Sequence, residues 1–216
     1  MTIKKFLHSC LLIEEGGKKL LIDPGEFSFV EGKLKPEDLA PADFILITHE
    51  HSDHFFPEAI QKISKTGKPE IITHERIAEL LKEKGIEARI IKSNEELKIG
   101  AFTIKAFAAP HGELIVPTPE NFGYIINGKF LHPGDSLEFP NAPIDTVALP
   151  ITAPWLTLKA AYEAALRLKP KTVIPIHDAF VKDFMLSRIY AMLERKLTEN
   201  KITWKPLNPD EGFSVS

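Results

Sequence analysis

The stretch Thr48-His49-Glu50-His51-Ser52-Asp53-His54-Phe55, THEHSDHF, places three of the chain's eight histidines and an aspartate within six consecutive positions. A polar surface turn would account for it, but ligand-type side chains seldom crowd at such spacing without an ion to hold. Just before it runs Phe44-Ile45-Leu46-Ile47, short, apolar and rich in β-formers. That run reads as a buried strand whose C-terminal end delivers the cluster onto a loop. His49 and His51 are two apart, so an extended or tightly turned loop can point both to one side. Asp53 and His54 follow and serve a second direction. Four nitrogen or oxygen ligands from so short a backbone suit two neighbouring metals better than one.

Further ligand types stand at other predicted strand ends. Ala109-Pro110-His111-Gly112 follows the strand expected over Ala101–Ala108, and His132-Pro133-Gly134-Asp135-Ser136 follows Lys129–Leu131. His177 and Asp178 close the strand expected over Thr172–Ile176. Gly134 and Pro175 shape tight exits that place Asp135 and His177 on defined turns. A sheet holds such loops rigidly while leaving their side chains free to act.

The rest of the pattern is strands first, with helices later and between. Phe6–Ile13 and Lys19–Ile22 read as a hairpin through Glu15-Gly16-Gly17-Lys18, and Asn127-Gly128 joins Phe122–Ile126 to Lys129–Leu131. Further strands are expected at Ile71-Ile72, Ala88–Ile91 and Thr146–Leu149. Helices are expected over Pro57–Ser64, Glu75–Lys84, Leu158–Leu168 and Val181–Leu197. This order suggests α/β sheets packed face to face with helices outside, in one domain spanning residues 1–216.

Composition narrows the partners. A net charge of -3 leaves no electrostatic footprint for nucleic acid, so a small-molecule substrate is the expectation. The opening MTIKKFLHSCLLIEEGG has its apolar run broken by His8 and Ser9 and reads as neither signal peptide nor membrane span. Cys10 is the single cysteine, so no internal disulfide forms and a reducing cytoplasm is the expected location.

The series H-x-H-x-D-H, a lone histidine, G-D and a final histidine resembles the metallo-β-lactamase superfamily over essentially the whole chain. The resemblance implies a four-layer αββα sandwich with a dinuclear site at one edge of the sheets. It implies that His49, His51 and His111 hold one metal, that Asp53, His54 and His177 hold the other, and that Asp135 bridges them. Two divalent ions per chain are therefore expected. Imidazole and carboxylate donors without thiolate admit Zn, Mn or Fe. The chemistry so implied is hydrolysis by a hydroxide held between the metals, with Asp53 orienting it or moving its proton.

The segments LHSCLLIE and LLIDPG are similar to the opening of the branch that includes L-ascorbate-6-phosphate lactonase. In that branch a histidine at the position of His8 sits near the site, and the aspartate corresponding to Asp23 supports the metal loop. His8 reads alternatively as a hydrogen-bonded strand histidine in the core. His132 either lines the pocket or lies at the surface of a strand end. Trp155, beside Ala153-Pro154, either walls the pocket or anchors the following helix. His74 reads as structural or exposed.

Within the superfamily, the charge disfavours nucleases, and His51 stands where oxygen-reducing relatives carry glutamate. The reaction expected is cleavage of a small ester or lactone. A phosphodiesterase acting on a small molecule or cyclic nucleotide is the alternative, and a non-catalytic metal-binding protein on the same fold is the alternative of another class.

Overall fold

The structure, a computed structural model, describes residues 1–216 except 31, 33, 40, 209, 210 and 216. The first half contributes β1 (Thr2–Lys5), β2 (Leu11–Glu15), β3 (Lys18–Ile22), β4 (Phe44–Leu46), α1 (Pro57–Gly67), β5 (Glu70–Thr73), α2 (Glu75–Glu83) and β6 (Arg89–Ile90). The second contributes β7 (Glu96–Ile99), β8 (Phe102–Ala108), β9 (Phe122–Ile126), β10 (Phe130–His132), β11 (Thr146–Pro150), α3 (Leu158–Leu168), β12 (Thr172–Ile176), α4 (Asp183–Glu199) and β13 (Thr203–Trp204). The last strand, β14 (Gly212–Ser214), returns to pair with β1.

Two seven-stranded sheets result, ordered β14-β1-β2-β3-β4-β5-β6 and β13-β12-β11-β10-β9-β8-β7. Each strand sends alternate side chains to opposite faces, and the apolar residues obey that period. Leu20 and Ile22 of β3 join the core between the sheets, with Ile104, Tyr124 and Ile174 opposite. Leu21, between them in sequence, packs outward with Ile60 and Ile63 of α1 and Ile77 and Leu81 of α2. On the other side Val147, Leu149 and Val173 pack outward against Ala161, Ala165, Leu193 and Leu197 of α3 and α4. Helix, sheet, sheet, helix: the fold is a four-layer αββα sandwich. Truncating one of these fully buried leucines to alanine costs about 2–5 kcal/mol.

Topology also fixes where loops converge. Strands β3, β4, β5 and β6 run parallel, as do β10, β11, β12 and β13. β8 and β10 are both antiparallel to β9 and so point the same way. The exits of β8, β10 and β12 therefore lie along one edge of their sheet. β2 is antiparallel to β3, so the residues entering β2 sit beside those leaving β3.

Three differences from the sequence expectation matter. The strand expected over Phe6–Ile13 begins only at Leu11 of β2: an added strand, β1, ends at Lys5, and the chain reverses through Phe6–Cys10, with Phe6 N–H bonded to the Cys10 carbonyl at 2.9 Å. His8 therefore lies on a tight turn rather than on a strand, with φ 62. β7 is an added strand, its alternation of exposed and buried residues hidden by the charges of Glu96 and Lys98. Helix α1 continues to Gly67 and stops where Lys68 turns left-handed, three residues past the expected end. Among the described residues no helix is long and apolar enough to cross a membrane.

Candidate metal centre

The loop after β4 brings His49, His51, Asp53 and His54 to the shared edge. His111 arrives after β8, Asp135 after β10 and His177 after β12. Two groups of donor atoms form: His49, His51, His111 and Asp135, and His8, Asp53, His54 and His177, the atoms of each lying within 4.8 Å of one another. Asp135 faces both. Its Oδ1 is 3.0 Å from His54 Nε2, and its Oδ2 is 3.0 Å from His177 Nε2 and 3.4 Å from His111 Nε2.

Hydrogen bonds to the far side of each ring decide which nitrogen turns inward. His54 Nδ1 meets Asp23 Oδ2 at 2.7 Å, His111 Nδ1 meets the Gly112 carbonyl at 2.7 Å, and His177 Nδ1 meets the Thr152 carbonyl. These acceptors require Nδ1–H, which leaves a lone pair on each Nε2. His49 Nδ1 is 3.0 Å from Thr48 Oγ1, which gives its own proton to Asp23 Oδ2; the hydroxyl thus accepts from His49 and leaves its Nε2 bare as well. His51 turns its Nδ1 toward His111 Nε2 at 3.2 Å. The Nε2 atoms of His49, His54 and His177 and Oδ1 of Asp135 are buried without hydrogen-bond partners among the described residues, the last lying 3.0 Å from His54 Nε2 as a charge contact. Buried lone pairs converging on one another are costly unless a cation sits among them. The donor set fits divalent metal.

Electrostatics points the same way. Burial raises the carboxyl pKa of Asp53 and Asp135, yet the surrounding imidazoles hold both well below the usual range. In turn, burial works against His177 and His54, but Asp135 lifts His54 well above its ordinary value and His177 to about 9. Two buried, ionised carboxylates call for positive charge. Metal supplies it when bound; protonated imidazoles supply it otherwise.

His8 plays a different part. The Ala179 N–H points at its Nδ1 at 3.3 Å, so Nε2 carries the proton and donates to Asp53 Oδ2 at 3.0 Å. Burial pushes the His8 pKa down to about 4, partly offset by Asp53, so the ring is neutral. A donor nitrogen does not ligate, so His8 positions the carboxylate. Asp23 takes the Thr48 N–H on Oδ1 at 2.9 Å besides the two donors on Oδ2, tying β3 to the histidine loop. Asp23, His8 and His177 all have positive φ, at 47, 62 and 60. Such left-handed backbone is uncommon for non-glycine residues and clusters at functional sites.

Trp155 lies against the donor cluster, its ring beside those of His111 and His177. Its indole N–H donates to Asp135 Oδ2 at 3.2 Å, and a Cβ added to Gly112 would lie 2.1 Å from its ring. His132 does not line the pocket and is not at the surface. It is fully buried, accepts from the Gly134 N–H at 3.2 Å and reaches the Ser9 carbonyl at 3.3 Å, bracing the turns that carry Asp135 and His8. His74 is likewise buried rather than exposed, next to Glu120.

Several supports escaped the sequence reading. Asn121 donates from Nδ2 to the carbonyls of Ala109 and Pro133 and accepts the Asp135 N–H, locking the His111 and Asp135 loops together. Nothing in its sequence context marks it. Gly25 packs so closely that a Cβ there would stand 1.9 Å from the Asp53 carbonyl oxygen; the DPG triplet was the available signal. Phe27 and Phe180 pack edge-on to each other at 5.4 Å and cover the His8 and His177 rings.

The chain matches the profile of the Beta-lactamase superfamily domain over residues 2–177. It belongs to that superfamily. A Mycobacterium tuberculosis protein is 30% identical over 98% of this chain and 98% of its own. A UPF0173 metal-dependent hydrolase of Thermoplasma acidophilum is 31% identical, over 79% of this chain and 80% of its own. Among solved structures, Igni18, a metallo hydrolase of the archaeon Ignicoccus hospitalis, superposes with a TM-score of 0.72 at 20% identity, covering 100% of this chain and 99% of its own. At that identity the likeness speaks for the superfamily fold alone.

Proposed function

We propose that the chain is a two-metal hydrolase that opens a small ester or lactone. One observation carries the reading: two groups of inward-turned, mostly buried donors with the Asp135 carboxylate facing both. His49, His51 and His111 would hold one ion, Asp53, His54 and His177 the other, and Asp135 would join them. Two divalent ions in such a site supply hydroxide at neutral pH and stabilise a developing oxyanion. The donor chemistry admits Zn, Mn or Fe.

The chain's own side chains do the remaining work. Asp53 Oδ2 is the carboxylate oxygen that His8 steadies, so that Asp53 would orient the attacking group or move its proton. Proton transfer of this kind is worth about 10²–10⁴-fold in rate. Trp155, Phe27 and Phe180 lie against the His111, His8 and His177 rings and would shield the reacting bond from water. The lactone preference rests on the likeness of the LHSCLLIE and LLIDPG segments to the lactonase branch. The relative named as a metal-dependent hydrolase supports the reaction class.

The test is turnover of a panel of lactones, carboxylic esters and phosphodiesters by protein loaded with zinc, manganese or iron. Lactone or ester turnover supports the reading. Turnover of phosphodiesters alone transfers the site to the phosphodiesterase alternative, and full metal loading with no turnover of any class favours a binding protein.

A further inference from the structure

Next to the loops that carry His8 and His177 lies a cavity of about 580 Å³ that none of the seven metal-ligand candidates lines. It shares two loops with the centre. Leu7 precedes His8, and Asp178 follows His177. Leu186 and Tyr190 of α4 and Leu207 supply its opposite wall. The volume lies within the roughly 300–1,000 Å³ of small-molecule pockets.

Its polar part is unusual for such a position. Lys5 and Asp178 both line it, each only 4% exposed, and they form an ion pair through Asp178 Oδ2. The Tyr190 hydroxyl donates to the same oxygen at 2.5 Å. Asp178 Oδ1 is left buried with no hydrogen-bond partner among the described residues. The Lys5 ammonium has three N–H groups, of which Asp178 engages one. A buried acceptor without a partner and a buried ammonium with one bonded N–H among the described residues thus stand side by side, in a pair whose charges cancel.

We propose that this cavity binds a neutral amphiphile, an apolar chain ending in an amide or hydroxyl. Such a head group donates to Asp178 Oδ1 and accepts from Lys5 Nζ at once, while the chain lies against Leu7, Leu186 and Leu207. A carboxylate head would meet Asp178, and an ammonium head would meet Lys5, each burying an unbalanced charge. The other carboxylate on the lining, Asp183, is exposed and solvated. The proposal is independent of the hydrolase reading, because it uses none of that machinery.

Calorimetric titration of the intact protein with octanamide, octanoate and octylammonium tests it. Octanamide is expected to bind one per chain, with the charged analogues weaker by about tenfold, the factor that 1.4 kcal/mol corresponds to. Leu186→Trp fills the cavity from the face of α4 and is expected to abolish binding while its melting curve and metal content stay as in the parent. Absence of octanamide binding, equal affinity for all three heads, or undiminished binding by Leu186→Trp overturns the proposal. Where octanamide binds, its effect on turnover of an ester chromogen assigns the source: a raised KM marks the cavity as the substrate's own arm, and an altered kcat marks a separate effector.

Discussion

His8 holds Asp53 from a position that no metal needs to occupy: Nε2 stands 3.0 Å from Oδ2, while the Ala179 N–H fills Nδ1 at 3.3 Å. The relation predicts a separable defect. His8→Ala should retain both ions yet lose activity by roughly 10–100-fold, the usual cost of removing a partner that orients a ligating group. His8→Gln, which still offers an N–H, should recover part of the loss. A metal-depleted His8→Ala protein would instead make His8 a ligand.

Asp23 carries three donors at once, from the Thr48 backbone, the Thr48 hydroxyl and His54. Asp23→Ala leaves each buried and unpaired, at about 1–3 kcal/mol apiece. We expect a clear drop in Tm, and faster loss of one ion than the other to a chelator. An unchanged melting curve would mean the loop is fixed by something else.

Gly25 and Gly17 separate contact from backbone strain. Gly25 has φ -77, which alanine adopts freely, but its Cβ would strike the Asp53 carbonyl and stand 2.4 Å from His54 N. Gly17 has φ +74 with nothing within 4 Å. Gly25→Ala should therefore disable metal retention. Gly17→Ala should cost about 1–2 kcal/mol of stability and leave activity intact. Equal activity in the two variants would refute the close approach at Gly25.

Burial raises the Cys10 thiol to about 12, so the native protein keeps it protonated across the neutral range. The thiolate is the reactive form. Iodoacetamide at pH 8 should leave the folded chain unlabelled and modify it fully in denaturant. Labelling of the folded chain at the rate of a free cysteine would contradict the packing around β2.

What sequence could show was local. Asn127-Gly128 announced its hairpin, and both residues take the positive φ, 52 and 66, that such a turn demands. Thr172–Ile176 and Leu158–Leu168 were legible as strand and helix because length and apolar pattern agree there. β1 was not, because its inward residue at the sheet end is Lys5, a charge buried only by virtue of Asp178, 173 residues away. The seven ligand candidates were legible as motifs. Asn121 and the bracing role of His132 were not, since each depends on which carbonyls three separate loops bring within reach. Long-range hydrogen bonds leave no periodic trace in sequence.

In the proposed centre one chain holds two ions through separate histidine groups joined at Asp135. Elemental analysis of metal-stripped, reconstituted and desalted protein measures it directly, for the parent and for His177→Ala. Close to two ions per chain are expected in the parent and close to one in His177→Ala, with His49, His51 and His111 retaining theirs. One ion per chain in the parent, or two in the variant, would contradict it.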